Sequence, residues 1–427
     1  MRVLDRTIPP QRQIPTELPV PDLRRLTTGN GLELYLVEGG DQDLVSVALE
    51  IDAGSVHEEK PAVAAMCASM LTRGTKLRTA DEIADETDFY GAHIQASAKK
   101  EATVVNLLTL NKHLEFLIPV LIDTVTSPVF PEDELKTLAQ RAKNRLEIKL
   151  QHVRTRAARN FNAVLLGGTP WHTPVVPEDY DALTSEHLAE FHATHYIFSR
   201  TKCFISGKNT QRAAEILMPF LEKWAPKKSG APKTIGDQWE YRPREMCETD
   251  ETASQSAIFV GFPVVTAHHP DYPAIYFLDK ALGGHFGSRL MRNLRVKNGF
   301  TYGANSYVTQ HRNISFLTIS TQVGTRHTSD AVNEIKAELN RLTQEPIPRE
   351  EWDLVLHQIA GRLAMAMDGP FQRVNLVMNL LRRGLDLNHP SSLMARLSEL
   401  QPDEVMHVAR RHFDPSAIAT SVVGLCP

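Results

Sequence analysis

Four side chains in the segment HLAEFHATH are of the types that bind zinc. His187, Glu190, His192 and His195 would have to converge from one face of a helix to hold a metal ion. At about 100° per residue, His187 and His192 stand about 140° apart on a helix. The bulky apolar residues between them are typical of a packed amphipathic helix. We therefore interpret this segment as a packing helix rather than a metal site.

A second candidate is the glycine-rich and basic segment GGHFGSRLMRNLRVKNGFTYGA, residues 283–304. Glycines before a helix N-terminus can cradle a phosphate group, but this segment lacks the Gly-Lys-Ser/Thr ending of a phosphate-binding loop. Arg289, Arg292 and Arg295 recur at three-residue steps, which taken alone predicts a basic, solvated helix face.

The remaining histidines and the cysteines predict no metal site. His268 and His269 precede Pro270 in a predicted loop, where we expect no partner for either imidazole. The cysteines lie far apart, without the paired spacing of zinc knuckles or the density of a disulfide scaffold. We predict that all four are free thiols and mostly buried, namely Cys67, Cys203, Cys247 and Cys426.

The composition is that of an ordinary folded protein. Of 427 residues, 42% are hydrophobic and 23% are charged, and the net charge is -4. This balance does not favour a nucleic acid or a membrane surface as the main partner. The polar, proline-rich N-terminus has no apolar signal-peptide core, and no later apolar run approaches 18 residues. We therefore predict a cytoplasmic protein.

The sequence contains an internal repeat. Residues 127–146 align with residues 344–363 at an offset of 217, which pairs a Pro, a Glu and an Arg with identical residues. Residues 183–196 align with residues 400–413 at the same offset. Two separate blocks at one offset indicate a duplicated domain of roughly 200 residues per half.

The repeat also predicts where the domains begin and end. The triplet YGA occurs at residues 90–92 and 302–304, an offset of 212. A stretch rich in Lys, Gly, Pro and Ser separates the halves. We predict an N-terminal domain over residues 1–226, a linker over 227–237 and a C-terminal domain over 238–427.

Local patterns predict the elements of each half. LELYLVE and LVSVALEID alternate apolar and polar residues on either side of GGDQ, which predicts a strand hairpin preceded by a turn at Asn30-Gly31. Thr79 and Glu82 predict a capping box, and HIQASAKKEATVVNLLTL predicts two further strands. The predicted fold class is α+β, with two homologous domains that each form an antiparallel sheet covered by helices on one face.

The motifs LTTGNGLELYLVE, MLTRGT and YGAHIQAS in the first half, with LGGHFGSRLMRNLRVKNGFTYGANSYV in the second, resemble the pitrilysin/insulinase-type zinc metallopeptidases. The resemblance runs from about residue 24 to residue 424. In that family the helix before a Gly-Thr pair carries H-x-x-E-H: two histidines hold zinc, and the glutamate activates the zinc-bound water. Counting back from Gly74-Thr75 places the motif on residues 65–69.

The resemblance implies that this chain has lost the zinc motif. Ala65 replaces the first histidine, Ala68 replaces the glutamate and Ser69 replaces the second histidine. Alanine has no lone pair with which to bind metal or move a proton. The family's third ligand falls near Glu147, but one carboxylate does not hold zinc, and a single thiol such as Cys67 is expected to be a small buried residue rather than a substitute ligand.

The family's other half carries an arginine and a tyrosine that point into the active-site chamber. The resemblance places this pair on Arg295 and Tyr302, which are seven residues apart. A guanidinium and a phenol O–H can stabilise a carbonyl oxygen as it gains negative charge. The first-half counterparts in the repeat are Ile83 and Tyr90, so the shared fold does not by itself require the arginine.

The resemblance implies a role within a pair of chains. In the branch of this length two chains face each other, and one supplies zinc while the other supplies the Arg/Tyr pair. We predict a non-catalytic, substrate-binding subunit of a heteromeric zinc endopeptidase, whose homologous partner carries H-x-x-E-H and the zinc, and whose substrate is a peptide. The alternative is a structural or assembly protein of the same fold. An independent hydrolase finds no support, because no G-x-S-x-G elbow is present.

Overall fold

The computed structural model describes Thr7, residues 21–224 and residues 239–426. The chain divides into two compact units, so that a short segment of the second half of the sequence belongs to the N-terminal unit. The predicted linker, residues 227–237, lies outside the described residues, and the predicted domain limits stay a prediction. The N-terminal unit contains Pro21–Arg242 and Met367–Asn379, and the C-terminal unit contains Pro243–Ala366 and Leu380–Pro427.

The N-terminal unit is built on a six-stranded sheet of order β1-β2-β6-β3-β5-β4. Its strands are β1 (Arg24–Thr27), β2 (Glu33–Glu38), β3 (Leu44–Ile51), β4 (His93–Ala98), β5 (Thr103–Leu110) and β6 (Thr201–Gly207). Its helices are α1 (Val63–Met70), α2 (Ala80–Phe89), α3 (Leu114–Thr126), α4 (Glu132–Leu150), α5 (Val153–Leu166), α6 (Pro177–Asp181), α7 (Ser185–His195) and α8 (Thr210–Lys223).

The C-terminal half repeats this plan on a five-stranded sheet of order β7-β11-β8-β10-β9. Its strands are β7 (Glu245–Thr249), β8 (Gln255–Pro263), β9 (Ala304–Gln310), β10 (Ser315–Gly324) and β11 (Ala419–Gly424). Its helices are α9 (Tyr272–Gly283), a π-helix (Met291–Lys297), α10 (Thr328–Gln344), α11 (Arg349–Ala366), α12 (Gly369–Arg383), α13 (His389–Glu399) and α14 (Pro402–His412). Among the described helices, none is both long enough and apolar enough to cross a membrane.

The predicted fold class is confirmed, but the predicted hairpin between LELYLVE and LVSVALEID is wrong. Strand β6 lies between β2 and β3, pairing parallel with β2 and antiparallel with β3. The hairpin of this region is instead β1–β2, closed at Asn30-Gly31, where Gly31 has φ +95°. Alternation identifies a strand, whereas its partner depends on segments that are distant in sequence.

Each sheet also contains one parallel pair, which the sequence did not predict. Strand β6 pairs parallel with β2, and β11 pairs parallel with β7. In both halves the last strand of the repeat inserts between two earlier strands. This shared insertion agrees with the duplication, because Gly207 at the end of β6 aligns with Gly424 at the end of β11.

The predicted capping box of α2 is confirmed. The hydroxyl of Thr79 accepts a hydrogen bond from the backbone N–H of Glu82 at 3.3 Å, and the Glu82 carboxylate accepts one from the Thr79 N–H at 2.8 Å. Each of these bonds satisfies an N–H group that has no partner within the helix. The two bonds therefore define where α2 begins.

The cysteine prediction is confirmed for one pair and wrong for the other. Cys67 and Cys203 are buried free thiols, whereas Cys247 and Cys426 form a disulfide across a sequence separation of 179 residues. The parallel register of β7 and β11 places Cys247 opposite Val422, close to the end of the strand that leads to Cys426. Spacing in the sequence could not indicate this bond, because only the strand pairing brings the two cysteines together.

Candidate functional site

Helix α1 of the N-terminal unit contains residues 65–69, where the family resemblance predicts the lost zinc motif. The side chains of Ala65 and Ser69 are exposed one turn apart, and Ala68 is buried. The Ser69 hydroxyl donates to the carbonyl oxygen of Ala65 at 2.9 Å. The exposed face of α1 therefore offers one hydroxyl, which already bonds to the helix itself.

The N-terminus of α1 carries a carboxyl group that the sequence did not mark. The backbone N–H of Ala64 donates to Glu58 Oε2 at 3.1 Å, so Glu58 satisfies a free donor of the first helical turn. Burial raises the pKa of Glu58 to about 7, although these helix donors and the charge of Lys100 favour the ionised form. Glu58 lies outside any motif, and only its burial distinguishes it from the neighbouring Glu59.

The basic segment of the C-terminal half forms a π-helix rather than an α-helix. The prediction of a solvated arginine stripe is wrong for Arg289, whose side chain is buried and donates twice to the Glu351 carboxylate, at 2.8 and 3.1 Å. The exposed Arg292 joins the same carboxylate at 3.3 Å. Because π-helical turns are uncommon and occur frequently at functional sites, this segment is a candidate site on its backbone geometry alone.

A set of amide and carboxylate side chains holds the π-helix against α10. The side-chain amide of Asn293 donates to Glu334 Oε2 and to Glu338 Oε1, each at 2.7 Å. The amide of Asn298 in turn donates to Asn293 Oδ1 at 2.7 Å. No sequence motif marks these residues, because their partners lie about 40 positions further along the chain.

Arg295 lies on the π-helix with its charge directed at an aromatic ring. Its guanidinium carbon is 4.8 Å from the centroid of the Phe286 ring, and the Phe286 side chain is 68% exposed. Within the described part of the chain, no carboxylate pairs with Arg295. A cation–π contact of this kind orients a guanidinium while leaving its N–H groups available to a ligand.

Tyr302 lies in the loop between the π-helix and β9, and it is 89% exposed. The loop itself is ordered by hydrogen bonds. The backbone N–H of Gly303 donates to the Thr301 hydroxyl at 3.1 Å, and the Thr321 hydroxyl donates to the Gly303 carbonyl at 3.0 Å. The phenol therefore projects from a fixed turn, so that an approaching chain can reach its O–H group.

The histidines of α7 contact separate partners. His187 Nδ1 accepts from the Thr184 N–H at 3.3 Å, and His192 Nε2 lies 2.8 Å from the Val125 carbonyl oxygen. His195 Nδ1 lies 3.2 Å from a guanidinium nitrogen of Arg200. These contacts agree with the interpretation of the segment as a packing helix.

Two family models match the chain. The model described as insulinase (peptidase family M16) matches residues 36–167, and the model described as peptidase M16 inactive domain matches residues 182–359. The chain belongs to the M16 family. The family resemblance in the sequence is thereby confirmed.

Relatives of the M16 chain are similar over most of its length. An uncharacterized zinc protease of Bacillus subtilis is 23% identical over 355 residues, which are 81% of this chain and 85% of that protein. A probable mitochondrial-processing peptidase subunit beta of Arabidopsis thaliana is 21% identical, over 95% of this chain and 79% of that protein. The structure described as a peptidase M16 inactive domain from Pseudomonas fluorescens has a TM-score of 0.87 at 21% identity, covering 95% of this chain and 99% of that chain. These findings extend the M16 similarity over most of the chain.

The α1 region does not fit the zinc ion of the M16 family. A zinc site needs three or four nitrogen, sulfur or carboxylate ligands, and the exposed face of α1 supplies the Ser69 hydroxyl alone. Glu147 is exposed on α4 and adds a single carboxylate. Burial raises the pKa of Cys67 to about 12, and its Sγ lies 3.9 Å from the Leu188 carbonyl oxygen, so this thiol is no substitute ligand.

Proposed function

We propose that this M16 chain is the non-catalytic, substrate-binding subunit of a heteromeric zinc metalloendopeptidase. One observation carries the proposal: Arg295 and Tyr302 are presented with free donor groups, while the α1 face has no metal-binding set. A purely structural protein needs no exposed phenol on an ordered turn. The similarity to a subunit of mitochondrial-processing peptidase supports a role beside a second, homologous chain.

Arg295 and Tyr302 are proposed to act on a substrate that is held in the partner's site. The guanidinium offers several N–H donors in a planar fork, and the phenol offers one O–H donor. When water attacks a peptide carbonyl, its oxygen gains negative charge, and donors aimed at that oxygen lower the barrier. The partner chain is proposed to carry H-x-x-E-H and the zinc ion, and the substrate class is a peptide or an unfolded segment.

The experiment is reconstitution with a homologous H-x-x-E-H chain recovered by pull-down from the native source. We expect the chain alone to be inactive, and the pair to cleave an unstructured peptide with about one zinc per pair. Arg295→Gln and Tyr302→Phe should lower kcat without changing assembly measured by gel filtration. Arg292→Gln is the matched control, because it removes an exposed guanidinium from the same π-helix.

The result decides between the two functions considered for this fold. If cleavage by the pair is unchanged by Arg295→Gln and Tyr302→Phe, these residues take no part in the reaction and the substrate-binding role is wrong. If pull-down recovers no H-x-x-E-H chain, the structural or assembly role replaces it.

A cytoplasmic location stays a prediction, and the disulfide is an observation against it. Disulfides persist in oxidising compartments and are rare where glutathione and thioredoxin keep thiols reduced. The Cys247–Cys426 bond therefore favours an oxidising environment. Alkylation of intact cells before lysis tests this: labelling of both cysteines would support the cytoplasm, and protection of both would support the disulfide.

A further inference from the structure

Two histidines and an aspartate from opposite ends of the C-terminal half meet where α9 begins and α14 ends. His412 Nε2 lies 2.7 Å from Asp271 Oδ2, and His269 Nδ1 lies 4.0 Å from the same oxygen. One ligand atom from each of the three residues lies within 4.8 Å of the others. The prediction that His268 and His269 have no partners is wrong. His269 Nδ1 accepts a hydrogen bond from the Asp271 backbone N–H at 3.0 Å, and His268 Nε2 lies 3.0 Å from the Arg383 carbonyl oxygen.

Two side chains of the cluster are held by packing, and the third is accessible to solvent. The Asp271 and His412 side chains are 15% and 16% exposed, so packing holds them, whereas His269 is 42% exposed at the mouth of the cluster. The two imidazole rings have centroids 5.8 Å apart and are nearly perpendicular, at 84°. Two imidazoles and one carboxylate are a ligand set that suits zinc, nickel or copper.

The internal repeat provides a comparison within the same chain. His57 aligns with His269 at the offset of 212, and His195 aligns with His412 at the offset of 217. The rings of His57 and His195 also meet, with centroids 5.4 Å apart. Both halves therefore place a histidine pair at the junction of the same two helices.

The two histidine pairs differ in what occupies their nitrogens. His57 Nε2 lies 2.9 Å from Asp52 Oδ1, while His195 Nδ1 lies 3.2 Å from an Arg200 guanidinium nitrogen. Among the residues that the structure describes, no third ligand atom converges with this first pair, whereas Asp271 joins the second pair. Both clusters contain two histidines and one aspartate, but only in the second do three ligand atoms lie within 4.8 Å of one another among the described residues.

We propose that His269, Asp271 and His412 bind one divalent transition-metal ion of the zinc class, which joins the start of α9 to the end of α14. Ligand atoms around a tetrahedral zinc are about 3.3 Å apart, given bonds of about 2.0–2.1 Å. The 2.7 and 4.0 Å separations lie on either side of this value, and a metal ion on His269 Nδ1 replaces the hydrogen bond that this atom accepts from the Asp271 backbone N–H at 3.0 Å. Water supplies the fourth ligand.

One cation competes with the metal for Asp271. Arg411 Nη1 lies 2.7 Å from Asp271 Oδ2, but the Arg411 side chain is 63% exposed and can turn into solvent. An exposed ion pair of this kind is worth about 0.2–1 kcal/mol. Removal of the Arg411 charge should therefore tighten metal binding by about 1.4- to fivefold.

The experiment is calorimetric titration of the chelator-treated chain, without a histidine tag, with zinc chloride. We expect one site, and with Co²⁺ in place of zinc we expect the visible absorption bands of a tetrahedral or five-coordinate ion. His412→Gln and His269→Gln should each weaken zinc binding by at least about tenfold, because even the loss of a group that only hydrogen-bonds to a metal ligand weakens metal binding by about 10–100-fold. Arg411→Gln should strengthen it.

The matched control is His195→Gln, which removes the repeat counterpart of His412. The chain has 17 histidines, so weak background binding is expected, and the control loses one imidazole just as His412→Gln does. Unchanged affinity in His195→Gln alongside loss in both His412→Gln and His269→Gln supports the site. Equal effects of His195→Gln and His412→Gln, or full binding by His269→Gln, would overturn it.

Discussion

The two halves of this protein put the same repeat positions to opposite uses. Ile83 is buried in the core of the N-terminal unit, while its counterpart Arg295 lies over the Phe286 ring on a π-helix. Tyr90 stacks on Phe116 at a centroid distance of 5.2 Å, while its counterpart Tyr302 is almost fully exposed. The duplication thus gave both halves the same fold. The aligned residues differ in their burial: those of the N-terminal half are packed, whereas those of the C-terminal half have available hydrogen-bond donors.

The two halves also differ in which of them has side chains that could take part in catalysis. The family resemblance in the sequence predicts the position of H-x-x-E-H on α1, where this chain has Ala65, Ala68 and Ser69. The chemistry proposed for this chain therefore rests on the C-terminal half. Four measurements test how far the two halves differ.

The largest expected effect concerns the disulfide, which cross-links the C-terminal unit only. Closing a loop of 179 residues restricts the unfolded chain, so Cys426→Ser should lower the free energy of unfolding of that unit by about 4 kcal/mol. Hydrogen exchange of β7 and β11 in the variant, with β2 and β6 as the internal control, measures this. Equal loss of protection in both sheets would contradict the prediction that the disulfide stabilises the C-terminal unit alone.

A slightly smaller loss of stability is expected for one of two glutamates that align at the offset of 217. Glu351 holds the buried Arg289 by two hydrogen bonds, so Glu351→Gln leaves a buried charge poorly paired and should cost about 3 kcal/mol. Its counterpart Glu134 lies 4.0 Å from Arg73, and both side chains are about 40% exposed, so Glu134→Gln should change stability by less than about 0.5 kcal/mol. Urea denaturation of both variants compares them directly; similar midpoints would show that the Arg289 pair is not specially stabilising.

The third comparison uses the tyrosines and rests on the proposed function. In the reconstituted pair, Arg295→Gln should lower kcat by about 100-fold, close to 2.7 kcal/mol, as loss of a transition-state donor does. Tyr302→Phe should lower kcat by about tenfold, whereas Tyr90→Phe in the packed copy should leave it unchanged. A rate loss in Tyr90→Phe equal to that in Tyr302→Phe would mean that the tyrosines act through the fold.

The fourth measurement concerns the pH dependence of stability at Glu58. Burial raises the pKa of Glu58 to about 7 from its ordinary value of 4.5, so the folded state binds a proton that the unfolded state has released between these values. Stability should therefore fall as the pH rises from about 4.5 to 7, and Glu58→Gln, which has no titrating carboxyl group at this position, should remove this part of the pH dependence. Thermal melts at pH 5 and pH 8 measure this pH dependence. Equal changes of stability in Glu58→Gln and in the unaltered chain would contradict its origin in Glu58.

Local patterns predicted the elements of this protein well, and their partners less well. The Thr79–Glu82 capping box and strands β4 and β5 follow from neighbouring residues, and they are confirmed. The β2–β3 hairpin is wrong because β6, which begins at Thr201, inserts between the two strands. Arg289 is buried against Glu351 because a distant helix supplies its carboxylate, and a three-residue spacing does not reveal that partner.

The sequence by itself determined the duplication, the fold class, the family and the absence of donors at positions 65 and 68, because each depends on residue identity and spacing alone. Only the tertiary structure decided which cysteines bond, which arginine is buried and which histidine pair converges with an aspartate on one point. Those outcomes depend on contacts between residues far apart in the chain, whose distances follow from strand order and helix packing. The repeat shows this limit clearly: aligned residues such as Tyr90 and Tyr302 have the same identity, and only their surroundings distinguish a packing group from an available donor.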